Sequence, residues 1–422
     1  MDAFEIEGPV RLEGEISVNG SKNSALPILA AMILAPGRSV IRRVPDLADI
    51  AVLRQLLESL GAKVERSNGD VTIDTSVIDR PVGEYDILRK MRAGICILGP
   101  LVARCGQARV SMPGGCAIGD RPVDIHLRGL RELGAQIHLE NGYIVARAPA
   151  GGLRGKQIFL GGPFGSTVLG TDNVMMAATL AKGRTVIESA ACEPEVADLA
   201  NCLNAMGARI SGIGSPRLVI DGVSELRPVE YAVIGDRIEA GTFMVAAGLT
   251  GGWLRVRNCR LDDMVAVADR LVGIGVSVEP TEDGCVVSRE GVLKPADITT
   301  QPYPGFPTDL QAQFMVMLAL AHGNSVITEK IFPDRFMHVA ELNRMAANIR
   351  KEGASAIIAG VERLVAAPVM ASDLRASAAL VLAGLAAYGK TTINRVYHID
   401  RGYERIEEKL NAVGARIKRV AV

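Results

Sequence analysis

Six stretches of the chain are apolar on nearly every side when drawn as helices, and each is followed by a glycine and a short β-branched segment. A helix with no polar face is buried on all sides, so these stretches predict six central helices. They are residues 26–34, 95–102, 174–180, 243–249, 314–320 and 378–385. Later stretches such as residues 52–60 are apolar on one face only, which predicts amphipathic helices ending at left-handed glycines. Short strands follow them, so the pattern indicates an α/β fold.

The same order of elements recurs six times, which predicts a repeat architecture. The amphipathic helices end at glycine turns that are 73, 73, 68, 78 and 61 residues apart: Gly61, Gly134, Gly207, Gly275, Gly353 and Gly414. A second glycine precedes each turn, at Gly37, Gly106, Gly183, Gly252, Gly323 and Gly389. Segments that interrupt the repeat are therefore candidates for chemistry.

The length of 422 residues exceeds what one hydrophobic core usually serves, so the six units are expected to form two domains of three. Only one strand follows the last turn, whereas residues 4–6 and 11–18 supply spare strands before the first central helix. We therefore predict that residues 1–20 complete the sixth unit. One domain is then 21–230, and the other combines 1–20 with 231–422. Two connections between domains suit hinged closure over an interdomain cleft.

Composition narrows the class of protein. Lys+Arg and Asp+Glu both number 47 and there is one Trp, which disfavours nucleic-acid binding. The longest apolar runs are far shorter than the ~20 residues of a membrane span, and the N-terminal residues lack a secretory pattern. Seven scattered cysteines and five isolated histidines show no metal-ligand spacing. We expect reduced thiols, a cytoplasmic location, no membrane association and no metal.

The predicted starts of the central helices are unusually polar. They are residues 22–24, 89–92, 171–173, 236–239, 308–311 and 373–375. Serine, threonine and aspartate there are explained by ordinary capping. Capping does not explain Lys22, Arg92 and Arg375, because a cation at a helix N-terminus opposes the helix dipole. Together with the helix N-termini, these cations favour an anion-binding site.

Two loops interrupt the repeat. In residues 113–124 three glycines flank Cys116, and Arg121 follows; this composition favours a lid carrying a reactive thiol, although an incidental loop cysteine is the alternative. In residues 301–309 three prolines lead to Asp309, which either stabilises a helix dipole or serves as a general base. Arg401 lies in a further loop, where it either pairs with a neighbouring carboxylate or binds an anionic ligand.

These segments recur together in one family. Residues 20–27, 88–101, 113–124, 236–242, 306–314, 373–376 and 398–405 resemble the UDP-N-acetylglucosamine 1-carboxyvinyltransferases, a branch of the enolpyruvyl transferases, and the resemblance extends over the whole chain. It implies two inverse α/β domains, each with three repeated units, sheets outside and buried helices inside. It also implies transfer of the enolpyruvyl group of phosphoenolpyruvate to the 3-hydroxyl of UDP-N-acetylglucosamine, the first committed step of peptidoglycan precursor synthesis. No cofactor is implied, and we expect a monomer.

The resemblance also implies roles for individual residues. Lys22, Arg92, Arg121 and Arg401 would bind phosphoenolpyruvate, and Asp309 would take the proton from the sugar hydroxyl. Cys116 would be the thiol that adds to phosphoenolpyruvate, assists product release and is alkylated by fosfomycin. The remaining substrate-binding positions would be Asn23 and Ile331 beside the sugar, Arg121, Pro122, Val123, Asp124 and Ile125 on the uridine side, Thr167 and Val168 near the diphosphate, and Asp373 and Arg375 shaping the closed site. The segment 161–171 is longer than the corresponding segment of the family. This difference affects the positions assigned to the diphosphate, Thr167 and Val168.

Two other functions fit parts of the pattern. The enolpyruvyl transferase of the shikimate pathway shares the fold and phosphoenolpyruvate, but the Cys116 loop and residues 121–124 argue against it. A non-catalytic paralogue that binds a UDP-sugar and regulates a partner is the other alternative. Retention of Lys22, Cys116 and Asp309 together disfavours it.

Overall fold

A computed structural model describes residues 2–114, 123–163 and 165–421. The described residues form two compact units. The inserted unit contains the described residues of 20–114, 123–163 and 165–234, and the discontinuous unit contains residues 2–19 and 235–421. The predicted domain of 21–230 differs from the inserted unit by one residue at its start and four at its end. The later end arises because residues 230–232 form a strand of the inserted unit.

The described residues contain 24 strands, which form six sheets of four. In chain order they are β1 (Asp2–Gly8), β2 (Glu13–Ser17), β3 (Arg38–Arg42), β4 (Lys63–Ser67), β5 (Asp70–Asp74), β6 (Val82–Gly83), β7 (Gln107–Ser111), β8 (Gln136–Glu140), β9 (Tyr143–Arg147), β10 (Gln157–Phe159), β11 (Arg184–Glu188), β12 (Arg209–Ser211), β13 (Arg217–Asp221), β14 (Glu230–Ala232), β15 (Trp253–Arg257), β16 (Ser277–Thr281), β17 (Gly284–Ser288), β18 (Asp297–Thr299), β19 (Asn324–Thr328), β20 (Asn348–Glu352), β21 (Ser355–Ala359), β22 (Pro368–Met370), β23 (Gly389–Asn394) and β24 (Ile417–Ala421).

All six sheets share one topology, with a parallel pair at one edge and two antiparallel pairs beyond it. The orders are β14–β3–β5–β4, β6–β7–β9–β8 and β10–β11–β13–β12 in the inserted unit, and β2–β15–β17–β16, β18–β19–β21–β20 and β22–β23–β1–β24 in the discontinuous unit. The central strands alternate buried and more exposed residues, as in β3 and β11, so each sheet has one face on the core. The predicted α/β fold of six repeated units is confirmed.

The helices divide into a central and a peripheral set. In chain order they are α1 (Lys22–Ala31), α2 (Ala48–Ser59), α3 (Tyr85–Leu88), α4 (Leu98–Cys105), α5 (Asp124–Glu132), α6 (Val168–Ala178), α7 (Pro194–Ala205), α8 (Arg237–Thr250), α9 (Val265–Ile274), α10 (Gln311–Ala319), α11 (His338–Arg344), α12 (Leu374–Ala386) and α13 (Ile406–Asn411). Short 3₁₀ helices span Met32–Leu34, Arg92–Ile97, Leu261–Met264, Thr308–Leu310 and Val396–Arg401. The central helices α1, α4, α6, α8, α10 and α12 are buried along nearly their whole length, as their apolar composition predicts.

The N-terminal strands are divided between two sheets, so the prediction that residues 1–20 complete the sixth unit is only half correct. Strand β1 does complete the sixth sheet, where it lies between β23 and β24. Strand β2 instead runs parallel to β15 as the edge strand of the fourth sheet. Both segments have strand-like patterns, and a pattern does not specify which edge a strand joins.

The turns after the peripheral helices have the same hydrogen bond in all six repeats. The residue after the turn donates its N–H to the carbonyl five residues earlier, as in a Schellman motif. The six bonds are Ala62→Leu57, Ala135→Leu130, Ala208→Leu203, Val276→Leu271, Ala347→Leu342 and Ala415→Leu410. The predicted fifth turn at Gly353 is therefore wrong, because Gly353 joins β20 to β21 and the true turn is at Ala346.

The fifth turn offers a test of backbone strain. Ala346 has a φ of 68°, in the left-handed region that costs an L-residue about 1–2 kcal/mol. We expect Ala346→Gly to raise the free energy of unfolding by about 0.5–1 kcal/mol, since the greater freedom of glycine in the unfolded chain offsets part of the relief. Chemical denaturation measures the change.

The third turn provides the matched control. Gly207 has a φ of 104°, and a Cβ added there has no other atom within 4 Å. Gly207→Ala should therefore lower stability by about 1 kcal/mol through backbone strain alone. Equal effects of the two substitutions would contradict the assignment of Ala346 to the repeated turn.

No helix within residues 2–114, 123–163 and 165–421 combines the length and hydropathy needed to span a bilayer.

Candidate functional site

Asp309 is the centre of a charged cluster in the discontinuous unit. It lies in the 3₁₀ turn Thr308–Leu310, directly before the central helix α10. Arg335 Nη1 donates to Asp309 Oδ1 at 2.8 Å, and Arg375 Nε donates to Oδ2 at 3.2 Å. The side chains of Arg335 and Arg375 are 7% and 2% exposed, whereas Asp309 is 27% exposed. The carboxylate is thus held by two buried cations and remains accessible.

The two arginines are fixed by different elements. Arg375 is the second residue of α12, and the N-cap Asp373 Oδ1 accepts the backbone N–H groups of Arg375 at 2.9 Å and Ala376 at 3.1 Å. Arg335 Nη1 also donates to Thr308 Oγ1 at 3.1 Å, and that hydroxyl donates to Glu329 Oε2 at 2.8 Å. The cluster is therefore attached to α10, to α12 and to the segment before α11.

The charge state of Arg335 follows from its surroundings. Burial by itself lowers the pKa of the guanidinium, but the negative charges of Asp309 and Asp373 and the hydrogen bond to Asp309 outweigh it and raise the pKa above its ordinary value. Arg335 is accordingly a permanent cation. The two guanidinium groups orient this carboxylate, whose accessible side can accept a hydrogen bond from a bound hydroxyl group.

Arg335 was not among the predicted site residues, although Asp309, Asp373 and Arg375 were. It follows Ile331 in the turn-rich stretch 329–337, which connects β19 to α11. That stretch contains Pro333 but has no helix-start pattern of the kind that identified Arg375. The half-buried Ile331 donates its backbone N–H to Glu329 Oε1 at 2.8 Å and so lies in the same segment.

Arg401 is the last residue of the 3₁₀ helix Val396–Arg401 and is half-buried. Its neighbour Asp400 is bound through both carboxylate oxygens by Arg419, at 2.7 and 3.0 Å. Glu404 Oε2 accepts a hydrogen bond from Asn19 Nδ2 at 2.8 Å. Asp400 and Glu404, the two carboxylates considered as partners for Arg401, each bind at least one other residue, and the role of Arg401 stays a prediction.

In the inserted unit, Lys22 is the first residue of α1. Its Nζ lies 2.6 Å from Asp49 Oδ2, and both side chains are nearly buried. Asp49, in the first turn of α2, thus compensates a cation that the α1 dipole disfavours. Asn23 follows and is half-buried. The ion pair gives this helix-start cation a partner within the protein, so the anion-binding role of Lys22 stays a prediction.

Arg92 begins the 3₁₀ helix Arg92–Ile97. It lies near His126, a residue of α5. The His126 Nδ1 atom is hydrogen-bonded to Asn173 Nδ2 at 3.0 Å. Because an amide nitrogen is a donor, Nδ1 is the acceptor and carries no proton. Burial, and then the charge of Arg92, lower the pKa of His126 to about 4.

The predicted nucleotide-side residues lie at two neighbouring helix starts. Val123 precedes α5, and Asp124 and Ile125 are its first residues. Thr167 caps α6, its Oγ1 accepting the N–H of Gly170 at 3.2 Å, and Val168 is the first helical residue. Gly162, five residues before Thr167, lies against Ile125, since a Cβ added to Gly162 would be 2.6 Å from Ile125 Cδ1. Cys116, Arg121 and Pro122 lie outside the described residues.

The predicted start of the third central helix at residues 171–173 is wrong. The cap at Thr167 places the start at Val168, and the polar residues of 171–173 are buried inside α6. Asn173 there donates to the carbonyl of Ile95 at 2.9 Å and accepts the N–H of Gly99 at 2.8 Å. Asn173 thereby connects α6 to α4 and to the 3₁₀ helix before it.

Within residues 2–114, 123–163 and 165–421, no group of three or more His, Cys, Asp or Glu side chains is arranged to hold a metal ion.

Comparison with known proteins places the chain in a family. The EPSP synthase (3-phosphoshikimate 1-carboxyvinyltransferase) family model matches residues 6–410. A UDP-N-acetylglucosamine 1-carboxyvinyltransferase from Methylacidiphilum infernorum is 57% identical, covering 100% of this chain and 99% of the relative. One from Gluconacetobacter diazotrophicus is 55% identical, with 100% of both chains covered.

Solved structures agree in fold. The enolpyruvyl transferase NikO from Streptomyces tendae superposes with a TM-score of 0.90 at 26% identity, covering 100% of this chain and 99% of NikO. An EPSP synthase from Acinetobacter baumannii gives a TM-score of 0.75 at 20% identity, with both chains fully covered, and shares the fold. The chain belongs to the EPSP synthase family and, within it, to the UDP-N-acetylglucosamine 1-carboxyvinyltransferases.

Proposed function

We propose that the chain transfers the enolpyruvyl group of phosphoenolpyruvate to the 3-hydroxyl of UDP-N-acetylglucosamine, releasing phosphate. The observation that carries this proposal is Asp309, a partly exposed carboxylate bound by the buried Arg335 and Arg375. Full-length identity of 57% to a relative named for this reaction supports the choice of acceptor. The product would be the first committed precursor of peptidoglycan.

The reaction proceeds by addition and elimination. Asp309 accepts the proton of the 3-hydroxyl while the oxygen attacks C2 of phosphoenolpyruvate and C3 is protonated. The tetrahedral adduct then loses a proton from C3 and expels phosphate, which regenerates the double bond. Fixed cations stabilise the carboxylate and phosphate charges through both steps. We assign this role to Lys22, Arg92, Arg121 and Arg401.

Further assignments complete the proposal. Cys116 serves as the thiol that donates a proton or assists product release. Asn23 and Ile331 contact the sugar, and residues 121–125 with Thr167 and Val168 contact the nucleotide. Asp373 positions Arg375 through its cap. We propose a monomer that acts in the cytoplasm.

Phosphate release tests the function and the acceptor together. The protein is incubated with phosphoenolpyruvate and either UDP-N-acetylglucosamine, shikimate 3-phosphate or no acceptor. We expect release only with the UDP-sugar. Release with shikimate 3-phosphate would assign the protein to the shikimate reaction. Binding of the UDP-sugar without release would instead support the regulatory paralogue and overturn the proposal.

A further inference from the structure

The segment that carries Arg401 has an unfavourable backbone at both ends. Arg395, before the 3₁₀ helix Val396–Arg401, has a φ of 61°, and Arg405, before α13, has a φ of 47°. A non-glycine residue in this region is uncommon and costs about 1–2 kcal/mol. The conformation of residues 396–405 therefore needs support from contacts outside the segment.

Arg419, on the last strand β24, supplies such contacts. Its Nη2 and Nη1 bind the two oxygens of Asp400 at 2.7 and 3.0 Å, and its Nε binds Glu407 Oε1 at 2.7 Å. Nη1 also lies 3.4 Å from Asp2 Oδ2 on β1. The guanidinium carbon is 4.9 Å from the centre of the Phe4 ring, a cation–π distance. The side chain is 29% exposed, so it is partly shielded from solvent.

The contacts bracket Arg401 along the chain. Asp400 directly precedes Arg401, and Glu407 lies in the first turn of α13, just after the left-handed Arg405. One planar guanidinium therefore joins both ends of residues 400–407 to the β1–β24 edge of the sixth sheet. Only arginine presents three nitrogens in a rigid fork that can bind two carboxylates at once.

We propose that Arg419 is a positioning residue for Arg401, holding residues 400–407 so that the Arg401 guanidinium is set for the anionic groups of phosphoenolpyruvate. This inference rests on the proposed function, which assigns Arg401 to that substrate. Arg419 itself binds no substrate. A purely stabilising surface ion pair would contribute little and would affect both substrates alike.

The experiment compares Arg419→Gln and Asp400→Asn with a matched control. The control is Arg184→Gln, which removes another bidentate arginine–aspartate pair, with Asp221 at 2.7 and 3.1 Å, from the third sheet in the inserted unit. Steady-state KM values are measured for each substrate separately. Hydrogen exchange of backbone amides in residues 396–407 is measured in the same variants.

We expect Arg419→Gln and Asp400→Asn to raise KM for phosphoenolpyruvate about tenfold, because misplacement of a binding group by roughly 1 Å can cost up to a hundredfold. KM for UDP-N-acetylglucosamine should change less than about twofold. The double variant should raise KM for phosphoenolpyruvate no more than either single variant does, because the two residues act through one contact. Hydrogen exchange in residues 396–407 should be faster. Arg184→Gln should change none of these quantities.

Three results would overturn the inference: an unchanged KM for phosphoenolpyruvate, equal rises in KM for both substrates, or unchanged hydrogen exchange in Arg419→Gln. If the wild-type protein releases no phosphate with the UDP-sugar, the proposed function fails. Hydrogen exchange does not require turnover, so it still decides whether Arg419 holds the segment.

Discussion

Asp309→Asn will lower kcat for phosphate release by about 10³-fold, within the range attributed to general acid–base groups. The substitution preserves the shape of the side chain but replaces a carboxylate oxygen with an NH₂ group. That group cannot accept a proton, and one of the two hydrogen bonds from Arg335 and Arg375 loses its acceptor. The substitution therefore removes the proposed base and also the negative charge that balances the two buried arginines. Phosphate release at saturating concentrations of both substrates measures the effect.

The adjacent Asp334 provides a matched control. Its side chain is 84% exposed and pairs with Lys351 at 3.1 Å on the surface. Asp334→Asn makes the same chemical change directly before Arg335 in the chain and should leave kcat within about twofold of wild type, since exposed ion pairs contribute little. A kcat above about a tenth of wild type in Asp309→Asn would show that Asp309 is only the counter-ion of the arginines and not the base.

The repeat could be predicted from sequence because its parts are local. Apolar helices, left-handed glycines and strand patterns each depend on a few consecutive residues. The fifth repeat failed where the local signal was missing, since Ala346 adopts the left-handed conformation that glycine adopts elsewhere. The sequence pattern therefore placed the fifth turn at Gly353, which is the glycine of the β20–β21 hairpin. Strand partners failed for a related reason, because β1 and β2 join different sheets and no local pattern distinguishes them.

Site residues could be predicted only where the sequence around them has a recognisable pattern, such as a helix start. Asp309 stood out because prolines precede it and it lies at a helix start, but its two arginine partners are 26 and 66 residues away along the chain. Arg375 was found through its helix start, whereas Arg335 lies in a turn without a comparable pattern. The left-handed Arg395 and Arg405, and the contacts of Arg419 across the sixth sheet, depend on tertiary structure and could not be predicted from the sequence.

Between pH 7 and pH 5 the free energy of unfolding of the wild-type protein will fall. We expect this fall to be about 2 kcal/mol larger than the fall for the His126→Gln variant. Burial and the charge of Arg92 lower the pKa of His126 to about 4 in the folded protein, against 6.5 as the ordinary value. Between those values the unfolded chain binds the proton and the folded chain does not. The stabilisation is therefore fully present above about pH 6.5 and is lost as the pH falls towards 4. Urea denaturation at several pH values measures it.

Exposed His138 supplies the control for this prediction. Its side chain is 63% exposed on β8, and His138→Gln should leave the pH dependence of unfolding as in wild type. Gln at position 126 retains an oxygen that can accept the hydrogen bond of Asn173, so the comparison isolates the titrating group. A wild-type minus His126→Gln difference that stays constant from pH 7 to 5 would mean that the folded protein tolerates a charged His126. Arg92 is proposed to bind substrate. A neutral His126 keeps a second cation away from Arg92, so the same proton affects both the free energy of unfolding and the charge beside the proposed substrate.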